Sequence, residues 1–188
     1  MNDPDSSLLA QRRGRPCFDE TFVAEHLAQH WGSRFRDGEW GIESLDSDRD
    51  QAFFLCGPET DHYLLKIANS DTEEKPLLLE AACAEALAAA GLVHQALVAS
   101  DDGQRAVLFE GPAGSHSARL MSWLPGRLYA EQRPHDAVLH ERLGVALAEM
   151  DLALASVDPD LGERSLEWDL SQASAAIDRH MKEIDEHG

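Results

Sequence analysis

Asp61-His62-Tyr63-Leu64-Leu65-Lys66-Ile67-Ala68 places one lysine inside an otherwise apolar run, and an acidic helical segment follows it directly. Side chains alternate along a strand, so Leu64, Lys66 and Ala68 share one face while Tyr63, Leu65 and Ile67 share the other. The second face has the character of core. The first is an apolar surface bearing a single cation, suited to a purine lying against Leu64 with its phosphates reaching Lys66. An unpaired ammonium within a strand core is costly, so such a lysine requires an anion. The same pattern also fits a lysine on an edge strand, turned to solvent to blunt the sheet edge.

The next periodic segment predicts a helix from about Pro76 to Ala90, with proline in its first turn and Gly91 just past its end. An earlier start, with Ser70 and Glu73 as a capping box, is the alternative. Leu79, Cys83, Ala86 and Leu87 lie along one side of this helix. Glu80 stands near that stripe, where its carboxylate either reaches back to Lys66 or, like Glu85, is simply solvated.

Outward from this strand and helix the chain reads as α+β. Phe18 before Asp19 and Val23 after it predict a capped helix from Glu20 to about His30. Strands are expected near Glu39–Leu45, Gln51–Cys56, His62–Ala68, Gln95–Ala99, Gln104–Phe109 and Ala118–Trp123. Turns are expected at 57–61 and 101–103, with a glycine-bearing loop from Gly111 to His116. From Asp136 the pattern becomes helical, with Leu143, Leu147, Met150 and Leu154 at three- and four-residue spacing. Asp158-Pro159-Asp160 breaks it, and Ser171 is positioned to cap a last helix ending near His187.

Composition narrows the function. The formal net charge of −19 argues against nucleic-acid binding, since phosphates would be repelled. It leaves ATP open, because magnesium screens the triphosphate and one lysine acts at short range, and it favours a cationic second substrate. The most apolar stretch, around Ala81–Val98, is interrupted by Glu85, Gly91, His94 and Gln95, so no membrane span is expected. Cys17, Cys56 and Cys83 form no Cys-x-x-Cys spacing and read as reduced thiols of a cytoplasmic protein. His26 and His30 have the spacing of two helical metal ligands, but no third ligand is evident. Ser115-His116-Ser117 has no nucleophile-elbow pattern, and Glu141, Glu149 and Asp151 read as one charged helix side.

Four pieces in order carry a family resemblance: Ser47-Asp48-Arg49-Asp50-Gln51 leading into Ala52-Phe53-Phe54-Leu55; Tyr63-Leu64-Leu65-Lys66-Ile67-Ala68-Asn69; Arg119-Leu120-Met121-Ser122-Trp123-Leu124-Pro125-Gly126; and Trp168-Asp169-Leu170. Together they resemble the amino-terminal part of the aminoglycoside phosphotransferase and choline kinase superfamily, in its hydroxylysine-kinase-like branch. The resemblance implies a protein-kinase-like amino-terminal lobe, an antiparallel sheet plus one helix, followed by the first helices of a helical lobe. In such kinases a strand lysine contacts the ATP phosphates and a helix glutamate holds it. By resemblance Lys66 and Glu80 take those roles, with Leu64 against the base. Ser47, Asp48, Arg49 and Asp50 then belong to the loop over the phosphates, although it lacks the usual glycines. Met121, Ser122 and Trp123 fall in the hinge that meets the adenine edge; Trp123 is equally suited to plain core between lobes. Asp169 beside Trp168 is read as a structural anchor.

The resemblance also implies residues that this sequence does not show. Phosphoryl transfer on this fold uses an aspartate to position the acceptor and an asparagine and aspartate to hold Mg2+. No His-x-Asp-x-x-x-x-Asn loop is present, His135-Asp136 has the wrong spacing, and Asn2 and Asn69 are the only asparagines. The expectation is therefore a fragment: 1–17 a disordered leader, 18–124 the nucleotide-binding lobe with its hinge, and 125–188 the start of the helical lobe, with no catalytic residue and the magnesium ligands outside it. It would bind ATP, belong to a kinase of an amino-bearing metabolite such as hydroxylysine, an amino alcohol or an aminoglycoside, and be inactive alone. A non-catalytic pseudokinase module and a structural partner domain without nucleotide are the alternatives. A downstream aminotransferase domain, as in some members of the branch, or self-association through an exposed lobe face are the expected partnerships.

Overall fold

The computed structural model describes residues 14–35, 39–58, 61–111, 114–163, 170–174, 177–178 and 181. By its internal contacts the chain divides into two compact units, Met1–Val157 and Asp158–Gly188. In the first, helix α1 (Glu20–His30) begins where the Asp19 carboxylate accepts the Phe22 N–H at 2.8 Å, which satisfies one of the donors a helix start leaves open. A four-residue helical turn, α2 (Gly32–Phe35), follows.

Six antiparallel strands make one sheet: β1 (Gly41–Leu45), β2 (Gln51–Cys56), β3 (His62–Ile67), β4 (Leu97–Val98), β5 (Val107–Gly111) and β6 (Gly114–Ser122). Their order is β1-β2-β3-β6-β4, and β5 pairs with β6 as well. β3 is therefore interior, between β2 and β6, and the edge-strand reading of Lys66 is excluded.

The alternation expected for β3 sets the core. Leu65 and Ile67 are fully buried, and across the sheet they join Phe53, Leu55, Phe109, Ala118 and Leu120. Phe18 and Val23, Leu27 and Trp31 cover this face, so α1 supplies the apolar stripe that closes it. The Trp31 indole N–H donates to the Val98 carbonyl at 3.1 Å, which satisfies the ring's polar atom in the core. His116 is also buried on this side, bonded through Nδ1 to the Ala68 carbonyl at 3.0 Å.

Helix α3 (Glu74–Ala89) connects β3 to β4, and its ends differ slightly from expectation. It starts two residues before Pro76, and the capping box does not form, because the Glu73 cap makes no side-chain bond. Ser70 lies instead in a turn where the Asp71 N–H donates to the Asn69 side-chain oxygen at 2.9 Å. Leu79, Cys83, Ala86 and Leu87 are half-buried along one side as expected. Helix α4 (Ala137–Leu154) is capped by Asp136, which accepts the Leu139 N–H at 2.8 Å. Its apolar stripe is largely uncovered: Leu143, Leu147 and Met150 are all exposed.

The hairpin of β5 and β6 departs most from the expected pattern. The loop placed at Gly111–His116 is mostly strand, because Gly111 pairs with Gly114 and Phe109 with His116. Gly114 adopts φ +121°, a conformation glycine takes without a side-chain penalty, where β6 begins. The strand expected at Gln95–Ala99 contracts to two residues, and β5 starts at Val107 rather than Gln104. Gly14–Cys17, expected as the end of a disordered leader, also runs against the sheet. Gly14 accepts the Ser70 N–H at 2.9 Å, and Pro16 is buried.

In the second unit, Asp158 caps a 3-10 turn at Pro159–Gly162 by accepting the Asp160 N–H at 3.0 Å. Leu170–Gln172 forms another such turn. Trp168, Asp169, His180 and most of the helix expected after Ser171 lie outside the described residues. No helix among the described residues is long and apolar enough to cross a membrane.

The two faces of the sheet should respond differently to truncation. Leu65→Ala, at a fully buried position, should lower unfolding free energy by about 3 kcal/mol, whereas Leu108→Ala on the exposed side of β5 should cost under about 0.5 kcal/mol. Urea denaturation of both variants measures this, and equal losses would contradict the assigned core face.

Candidate functional site

Strand register builds the site on the face opposite α1. Lys66 lies directly across from Ala52 on β2 and Arg119 on β6, while Leu64 lies across from Phe54 and Met121. The face thus carries two adjacent rows, one apolar and one with two cations. Trp123 extends the apolar row, its ring 4.6 Å from that of Phe54.

Two like charges directly opposite on neighbouring strands repel. Glu80, on α3, resolves the conflict. Its Oε1 lies 3.4 Å from Lys66 Nζ, and its Oε2 accepts a hydrogen bond from Arg119 Nη1. The three differ in access to solvent: the Arg119 side chain is only 5% exposed, against 27% for Glu80 and 32% for Lys66. Arg119 Nε is buried with no hydrogen-bond partner, so the guanidinium is only partly satisfied.

Burial lowers the pKa of Lys66 from the usual lysine value; the Arg119 charge lowers it further, and Asp50 opposes the shift. Arg119 is lowered by burial as well, again opposed by Asp50. Asp50 therefore acts electrostatically on both cations from the β1–β2 loop.

That loop is held by side chains instead of glycines. Asp50 Oδ1 accepts the Asn69 N–H at 3.1 Å, the Asn69 side-chain amide donates to the Arg49 carbonyl at 3.4 Å, and Arg15 donates to the Ser47 carbonyl at 2.7 Å. Asp48 and Arg49 are exposed at its tip. In the segment expected as the hinge, the Ser122 N–H donates to the Ala96 carbonyl at 2.9 Å, and the Ser122 hydroxyl accepts the Ala96 N–H at 2.9 Å. The Trp123 N–H donates to the His62 carbonyl at 3.1 Å. The N–H groups of Ser122 and Trp123 are thus already used, and the next backbone donor is Leu124, since Pro125 has none.

Lys66, Glu80, Leu64, Met121 and Trp123 therefore converge on one face of the sheet, and Ser47, Asp48, Arg49 and Asp50 form the loop at its end. Sequence reasoning missed Arg119, although its signal was the one that singled out Lys66: a single cation within the apolar run Ala118–Met121. It also missed Asn69 and Arg15, whose importance lies in contacts distant in sequence. His26 and His30 make ring contacts in the packing of α1. His26 stacks on Phe22 with ring centroids 3.8 Å apart, and His30 lies against Phe109 at 6.1 Å. Among the described residues no group of three His, Cys, Asp or Glu side chains is placed to hold a metal ion.

The face carries an apolar row and, beside it, two cations sharing one carboxylate. Comparison with known proteins bears on this. The backbone resembles that of an amicoumacin kinase, solved in complex with AMP-PNP, Ca2+ and Ami, at TM-score 0.60 and 18% identity, over 89% of this chain and 48% of that one. It also resembles a microcompartment-associated aminopropanol kinase at TM-score 0.57 and 15% identity, over 81% of this chain and 46% of that one. At these identities the likeness establishes the α+β, kinase-like fold, and the chain spans about half the length of each. Among curated proteins, none matches by sequence. The model of the phosphotransferase enzyme family matches residues 41–186, most of the chain, and the protein belongs to that family.

Proposed function

We propose that this chain is the nucleotide-binding portion of an ATP-dependent small-molecule kinase, one that phosphorylates a hydroxyl of an amino-bearing metabolite such as hydroxylysine, an amino alcohol or an aminoglycoside. The observation that carries the reading is the Lys66–Glu80 pair on the open face of the sheet, beside the apolar row of Phe54, Leu64 and Met121. A phosphate beside Lys66 would restore the charge that burial disfavours, and the half-buried Phe54 and Leu64 of the row would take the purine. Ser47–Asp50 would cover the phosphates, and Met121–Trp123 would meet the adenine edge. The amino-bearing acceptor is supported by the net charge of −19, which attracts cations. It is also consistent with the names of the two structural relatives, an amicoumacin kinase and an aminopropanol kinase.

ATP is used with a divalent cation in this chemistry, and Mg2+ is the proposed ion; it would screen the triphosphate against Asp48 and Asp50. The described residues supply no ligand set for it. Nor does the sequence contain a His-x-Asp-x-x-x-x-Asn loop. The 188-residue chain is accordingly proposed to bind nucleotide without transferring phosphate by itself. That same lack favours the second reading, a nucleotide-binding module without catalysis. A cytoplasmic setting goes with the supply of ATP, and a joined aminotransferase domain or self-association through the exposed stripe of α4 completes the proposal.

Three outcomes test it. MgATP should raise the thermal midpoint of the chain, and Lys66→Met should abolish that rise while changing intrinsic stability by less than about 1 kcal/mol, because Glu80 keeps Arg119. A rise that survives the substitution would remove Lys66 from the site. Glu80→Ala leaves a buried guanidinium unpaired and should cost about 3 kcal/mol in denaturant titration, a loss far larger than that of Lys66→Met.

The pH dependence follows from the lowered pKa of Lys66. A bound phosphate pulls that pKa back up, so nucleotide affinity should fall as pH rises through the lowered value, below the ordinary lysine range. For folding, the unfolded chain holds the proton more tightly, so the contribution of Lys66 to stability increases with pH between the lowered and ordinary values. Calorimetric titration of MgATP at stepped pH measures the first effect, and an affinity that increases with pH would contradict it.

A further inference from the structure

Lys66 and Arg119 stand opposite each other in neighbouring strands, and α3 offers them Glu80. A lone lysine–glutamate pair would be self-neutralising, and an incoming phosphate would have to compete with the carboxylate for the ammonium. Here the carboxylate is divided. Its Oε2 accepts a hydrogen bond from Arg119 Nη1, while the approach of Oε1 to Lys66, at 3.4 Å, lies beyond the usual length for such a bond. Arg119 is the buried member and Lys66 the accessible one. Arg119 Nε is buried without a hydrogen-bond partner, and Glu80 accepts from Nη1 of the same guanidinium.

We propose that Arg119 is a positioning residue: it holds the Glu80 carboxylate and, by like-charge repulsion, keeps the Lys66 ammonium loosely paired and turned to the open face, ready for the phosphates of a nucleotide. Arg119 itself does not touch the ligand. The assignment rests on the nucleotide-binding reading for its purpose, but the coupling of Arg119 to Lys66 exists without any ligand. Arginine suits this role because its charge is permanent and its planar fork fixes the carboxylate's orientation, neither of which a lysine supplies. The charged groups around Lys66 are Glu80 from α3, Arg119 from β6 and Asp50 from the β1–β2 loop.

The test uses the full chain and two independent readouts. Without nucleotide, Lys66 is acylated by a small amine-reactive ester across a pH series, and the modified peptide is quantified by mass spectrometry. In Arg119→Met the opposing charge is gone and Glu80 turns wholly to Lys66. The midpoint of the profile should move upward and reactivity at pH 8 should fall about fivefold. Arg119→Lys, which keeps the charge and guards against loss of fold, should hold the midpoint but lose the fork. Binding of MgATP by calorimetry should weaken about tenfold in Arg119→Met and about threefold in Arg119→Lys.

An unchanged Lys66 profile in folded Arg119→Met overturns the proposal. So does wild-type MgATP affinity in both variants. If the wild-type chain itself binds no MgATP, the nucleotide reading fails and the phosphate-related purpose of Arg119 fails with it. The acylation profile then still decides whether Arg119 governs Lys66.

Discussion

A single carboxylate stands between two cations that strand pairing forces side by side. Antiparallel pairing of β3 with β6 fixes Lys66 opposite Arg119, and nothing in the sheet itself offsets their repulsion. Glu80 does so from α3, which ties the helix to the sheet face and gives that face its chemistry. Remove the carboxylate and the helix loses its polar anchor, while the buried Arg119 charge keeps only the more distant Asp50 to offset it. This one group links α3 to both β3 and β6.

The opposite face has a different logic. There α1 covers Leu65, Ile67, Phe53 and Leu120 with Val23, Leu27 and Trp31, and the polar atoms present are paired: the Trp31 indole with Val98, His116 with Ala68. This side provides rigidity through apolar burial, and it holds the strands that present the charged row. The division is a direct outcome of period-two alternation: each residue on β3 belongs either to the packing or to the site.

Much of this was readable in the residues. The alternation in Tyr63–Ala68 assigns the core face correctly because half-buried strands must alternate, and the Asp19 and Asp136 caps are local signals that tertiary packing does not override. What failed was non-local. Within the β5–β6 hairpin, the glycine-bearing stretch Gly111–His116 reads locally as a loop, and most of it is strand. Yet His116 is buried through its bond to Ala68, a partner no local window contains. Arg119 escaped notice for a similar reason. A cation in an apolar strand requires a counterion, but Glu80 was already assigned to Lys66, and only register reveals that one glutamate serves both. The ordered segment Gly14–Cys17 owes its position to Ser70 and Ser47, again remote in the chain.

β6 pairs with β5, its neighbour in sequence, but it pairs with β3 only after the chain has gone out through α3, β4 and β5 and returned. The first pairing closes a short loop; the second closes a long one and must meet that entropy before its contacts form. Lys66 and Arg119 sit on the two sides of this late seam. A chain with every local hairpin formed but the seam open would have much of its secondary structure and no site at all. The charged row is thus a feature of the completed topology, and whatever occupies it acts as a clasp on the longest closure in the sheet.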